Sequence, residues 1–75
     1  MKNNTQRYSK EFYDVAAIKS AIAAYRKIAT VSFSEDSSYY VCEFSNCIID
    51  PNRVIFEFNN YLVELMNARG DNTEA

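Results

Sequence analysis

The sequence predicts a small α+β fold: a short antiparallel sheet with two helices packed on one face, in the order β-α-β-β-α. Three observations carry that reading. Two long stretches, one from Val15 to Ala29 and one after Pro51, repeat apolar residues at three- and four-residue spacing, the period of an amphipathic helix. Two shorter stretches, Thr30 to Ser34 and Tyr39 to Ile48, alternate with the period of a strand. Between these two lies Glu35-Asp36-Ser37-Ser38, a polar connection of hairpin length.

Each element follows from local chemistry. Residues 1–6 are polar and are expected to form a flexible N-terminal tail. From Arg7 to Phe12, Tyr8, Lys10 and Phe12 alternate with Arg7, Ser9 and Glu11, which suggests a short edge strand protected by its charges. The competing reading caps a helix at Ser9, but Asp14 is the better cap, with Tyr13 and Ile18 at the positions of a hydrophobic staple. The helix that follows is rich in alanine, which loses no side-chain entropy. Val15, Ile18, Ile22, Tyr25 and Ala29 form its apolar stripe.

In the hairpin, Val31 and Phe33 share a face, as do Tyr40, Cys42 and Phe44. Tyr39 and Val41 place apolar groups on the opposite face too, which suggests that this second face is covered. Asp50 followed by Pro51 starts the last helix, because proline lacks only an amide hydrogen that the first helical position does not use. That helix is expected to stop at Gly70 as a left-handed C-cap, giving one domain over 7–70 and a flexible tail over 71–75. Phe56 and Val63, seven residues apart, fall opposite its apolar sector. With Asn60 between them, and with Tyr39 and Val41 on the hairpin, they are the candidate partner-binding residues.

Composition narrows the function classes. The 75 residues contain no histidine or tryptophan, one glycine and one proline, and the net charge is −2. Nucleic acid is not the expected partner, since binding it needs clustered lysine and arginine to displace counterions. Two cysteines five positions apart, with no histidine, do not supply the three or four soft ligands of a zinc site. In an extended strand Cys42 and Cys47 lie about 16 Å apart on opposite faces, against the roughly 7 Å limit of a disulfide. They are expected to be reduced, small apolar residues. A serine nucleophile finds no base, and Glu43, Glu57 and Glu64 pair with no second catalytic group, so no enzyme activity and no cofactor are expected. No apolar run is long enough to span a bilayer and the opening segment lacks a signal-like core, so the expected location is cytoplasmic.

One resemblance goes further. The Tyr13-Asp14 start to an alanine-rich helix, the run AIKSAIAAY over 17–25, the segments VSF and YYVCEF, and the final FNNYLVEL, with its Phe58, Asn60 and Leu62, together resemble the HxsD-like family. The likeness spans about residues 7–66. These small accessory proteins are encoded beside radical SAM maturases in peptide-modification loci of the His-Xaa-Ser type. The resemblance implies a non-catalytic adaptor without an iron–sulfur cluster, partnered by a precursor peptide, a radical SAM maturase, or both. An extended peptide would add to an open sheet edge. The alternative is a small structural homodimer or regulatory subunit, and the aromatic load on both sides of the hairpin makes self-association expected in either case.

Overall fold

The computed structural model describes residues 4–71, and its elements are β1 (Thr5–Ser9), α1 (Val15–Tyr25), β2 (Thr30–Glu35), β3 (Tyr39–Ser45) and α2 (Pro51–Asp71). The strands form one sheet in the order β1-β3-β2, with both neighbouring pairs antiparallel. β1 and β2 therefore run parallel to each other, and β3 fills the gap between them. This is a split β-α-β unit followed by a second helix.

Both helices lie against one face of the sheet, as expected. The core joins Tyr8 of β1, Cys42 and Phe44 of β3, Ala17, Ile18 and Ala21 of α1, and Val54, Phe58 and Leu62 of α2. Phe58 stands at its centre, fully buried, with the rings of Phe44, Tyr25 and Tyr8 at 5.0, 5.7 and 6.4 Å. Burying one such ring contributes about 2 to 3 kcal/mol. The small alanines of α1 let that helix sit close, and Tyr25 and Tyr61 close the seam between the helices with ring centroids 5.8 Å apart.

Side-chain caps set the helix starts. The Asp14 carboxylate accepts from the Ala16 amide at 3.1 Å, and Asp50 accepts from Asn52 at 3.2 Å just before Pro51. Several boundaries differ from the sequence expectation. β1 begins at Thr5, inside the stretch read as a tail, because Thr5 and Gln6 pair with Glu43 and Cys42. It ends at Ser9, whose carbonyl accepts from Phe12 and Tyr13 and whose hydroxyl accepts from Glu11, so the alternation stops in a tight turn. Phe12 leaves the strand and is 70% exposed.

α1 ends at Tyr25 rather than Ala29, because the Tyr25 carbonyl takes the amides of both Ile28 and Ala29 and closes the last turn. β3 ends at Ser45 rather than Ile48, because Asn46 adopts a φ of 51° and turns the chain. Cys47 thus lies beyond the strand and packs, half-buried, against the core, instead of standing across the sheet from Cys42. α2 continues through Gly70 to Asp71, so Gly70 does not cap it. Residues 1–3 and 72–75 of the expected tails lie outside the described residues.

The face of the sheet away from the helices carries Thr5, Arg7 and Ser9 beside Tyr39, Val41 and Glu43, and then Thr30, Ser32 and Ser34. It is mostly hydroxylated. The expected second apolar face reduces to Tyr39 and Val41, and the Arg7 guanidinium lies 4.8 Å from the Tyr39 ring. Such a face tolerates water, so it does not demand the cover that its two apolar residues suggested.

Candidate interaction site

α2 has two faces of different character. Val54, Phe58 and Leu62 are fully buried toward the sheet and α1. On the far side Phe56 is 65% exposed and Val63 44% exposed, with exposed Asn60 between them and Asn67 one turn beyond Val63. Phe56 and Val63 are two helical turns apart, about 10 Å along the axis. The Arg53 and Glu57 side chains pair at 3.2 Å beside this stripe, an exposed i, i+4 contact that adds little to stability but orients both charges.

Phe56, Asn60 and Val63 therefore form one surface. Tyr39 and Val41 do not join it: they sit on the sheet face away from the helices, on the other side of the molecule. The sequence pattern missed Ile48 and Ile49, 69% and 44% exposed in the turn between β3 and α2, because the strand was expected to continue through Ile48. The Ile48 amide donates to the Ile28 carbonyl at 2.9 Å and pins this turn to the connection between α1 and β2.

Away from this stripe, the charged groups of the β1 end and the β2–β3 loop are paired. A shallow cavity of about 440 Å³ opens among Ser9, Lys10, Glu11, Ser37, Ser38 and Tyr39. Lys10 Nζ meets Glu35 at 2.8 Å there, a hydrogen bond that raises the lysine pKa. In the loop beside it, Asp36 accepts from the amides of Ser38 and Tyr39, which hold its carboxyl below the ordinary value. Burial pushes the Cys42 thiol up to about 11, the direction opposite to that of an activated nucleophile. Burial also raises the Tyr8 phenol, with smaller contributions from Cys42 and Tyr13. Among the described residues no three histidine, cysteine or acidic side chains gather as a metal site, and no helix is long and apolar enough to cross a membrane.

Compared with known proteins, the chain matches no family model, and no curated protein and no solved structure is significantly similar to it.

Proposed function

We propose that this chain is a non-catalytic adaptor of a ribosomal peptide maturation system, binding a radical SAM maturase, its precursor peptide, or both through the outer stripe of α2. The observation that carries the reading is the pair Phe56 and Val63, left exposed on a helix whose opposite face already fills the core. Aromatic and aliphatic side chains held on a rigid helix are suited to anchor a partner, because little side-chain entropy is lost when they are covered. The likeness of residues 7–66 to HxsD-like accessory proteins supplies the partner class.

The test is the double variant Phe56→Ser/Val63→Ser, compared with the wild type for capture of a radical SAM maturase and a short precursor peptide of a His-Xaa-Ser type locus. Exposed positions away from the core change stability by about 0.5 kcal/mol or less. The variant is therefore expected to keep its circular dichroism spectrum and melting midpoint while losing capture of the maturase or precursor. Retained capture by a folded double variant overturns the reading of this face.

A further inference from the structure

The two outer strands of the sheet differ in a way that the register makes explicit. In an antiparallel pair, residues alternately turn their backbone N–H and C=O toward the neighbour and away from it. Lys10 donates to Ser38 and Phe44 donates to Asn4, so the even-numbered residues of β1 bond β3. Thr5, Arg7 and Ser9 then face outward. On the other side Asp36 donates to Tyr39, so Thr30, Ser32 and Ser34 bond β3, and Val31, Phe33 and Glu35 face outward.

The β1 edge is guarded. The Thr5 carbonyl takes the Gln6 side-chain amide at 3.2 Å, the Ser9 carbonyl takes the amides of Phe12 and Tyr13, and Arg7 brings a charge between them. The β2 edge is less protected: its one charge is Glu35 at the end of the strand, already paired with Lys10 at 2.8 Å, Thr30 to Ser34 carries no charge and no proline, and the outward backbone groups of Val31 and Phe33 meet no partner among the described residues. Charges, prolines and self-capping are what keep edges from pairing, and an uncharged edge of β-branched and aromatic residues invites it.

We infer that β2 pairs antiparallel with β2 of a second copy about a two-fold axis at Ser32, making one continuous six-stranded sheet. The strand is self-complementary in this register. Val31 of each copy lies opposite Phe33 of the other, on the helix-side face, and both are outward-facing residues, so each such pair exchanges two backbone hydrogen bonds. Thr30 lies opposite Ser34, and Ser32 opposite its own copy, both on the hydroxylated face. Glu35 falls across from Ala29 of the second copy, two residues after that copy's exposed Lys27, and the cation nearest the paired residues is Lys19, whose Nζ lies 5.5 Å from the Phe33 ring of its own copy. No like charges oppose each other in this register. A shift that centres the axis on Phe33 would instead set Glu35 against Val31.

The axis position makes the proposal sharply testable. Ser32 is exposed in the single chain, and on the two-fold it forms a non-hydrogen-bonded pair, whose Cα atoms stand about 4.5 Å apart, within disulfide reach. Sedimentation equilibrium at high micromolar concentration is expected to show a dimer for the wild type. Ser32→Glu, which sets two carboxylates face to face, is expected to be monomeric with an unchanged circular dichroism spectrum, and so is Ser32→Lys. Mixing these two folded variants is expected to restore a dimer containing one of each. Ser32→Cys is expected to cross-link to itself under mild oxidation, whereas Ser34→Cys, displaced along the strand from its copy, is not. A monomeric wild type overturns the proposal, as does a Ser32→Glu protein that remains dimeric. Loss of the dimer in Phe56→Ser/Val63→Ser with retention in Ser32→Glu would move the interface to α2 and overturn it as well.

Discussion

The Tyr8 hydroxyl donates to Asn59 Oδ1 at 2.6 Å, tying the N-terminal strand to the middle of the last helix across 51 positions of sequence. The ring of Tyr8 is buried in the core while its oxygen reaches a half-buried amide, so one side chain serves both apolar packing and a polar tie.

Tyr8→Phe keeps the ring and removes only this bond. A loss of about 1 kcal/mol is expected, the usual net worth of a neutral hydrogen bond. A double-mutant cycle with Asn59→Ala, read by denaturant melts, checks that the loss belongs to the pair: the second substitution should cost little once the first is made.

Phe58→Ala removes the side chain on which Tyr8, Tyr25 and Phe44 converge. Truncations of this kind cost about 3 to 5 kcal/mol. That is most of the stability expected of a domain this small. The variant should therefore show a collapsed or absent thermal transition at ordinary temperature.

Much of this fold is legible where a few adjacent residues decide the outcome. Asp14 and the Asp50-Pro51 pair mark helix starts because capping is local chemistry, and the β2–β3 hairpin shows because alternation and a short polar loop coincide. β1 is blurred for the opposite reason. Thr5 and Gln6 look like tail because their strand exists only through pairing with β3, far along the chain. Phe56 and Val63 are legible as outward residues because helical period alone places them. The difference between the two sheet edges is not, since which backbone groups point outward depends on the register with β3, and no single segment encodes that register.

Asn46 holds a φ of 51° where the chain leaves β3, and its side-chain amide donates to Thr30 Oγ1 at 3.4 Å. Asn46→Gly should be nearly neutral. Asn46→Val should cost about 1 to 2 kcal/mol, because a β-branched side chain clashes in the left-handed region. Each kcal/mol corresponds to about 4 to 8 °C in Tm for a domain of this size. Equal midpoints for the two variants would show that the turn is not held in this conformation.

The thiols should separate by accessibility and by pH. Cys47 is half-buried and Cys42 fully buried, so native alkylation should label Cys47 first, and denatured, unreduced protein should accept two labels. Burial raises the Cys42 pKa from 9.0 to about 11. Between those values the unfolded chain gives up the thiol proton and the folded chain keeps it, so its contribution is intact below pH 9 and is lost as pH climbs toward 11. Tyr8, also raised by burial from its ordinary 10.0, acts in the same direction at the upper end. Denaturant melts across this range should show a steeper decline for the wild type than for Cys42→Ala.

The placement of β3 between β1 and β2 also orders events during synthesis. β1 leaves the ribosome first, but its hydrogen-bonding neighbour is made only after α1 and β2. The β2–β3 hairpin closes a loop of three residues and is the fast, local step. The first strand then has to dock onto an edge that already exists. In the interval β3 is itself an edge, with Cys42 and Phe44 uncovered. Crowded nascent chains would therefore be most prone to exchange β1 between molecules, and pulse-labelling hydrogen exchange should find the amides of Ser32, Ser34, Val41 and Glu43, which bond within the hairpin, protected before those of Gln6, Tyr8 and Phe44, which wait for β1.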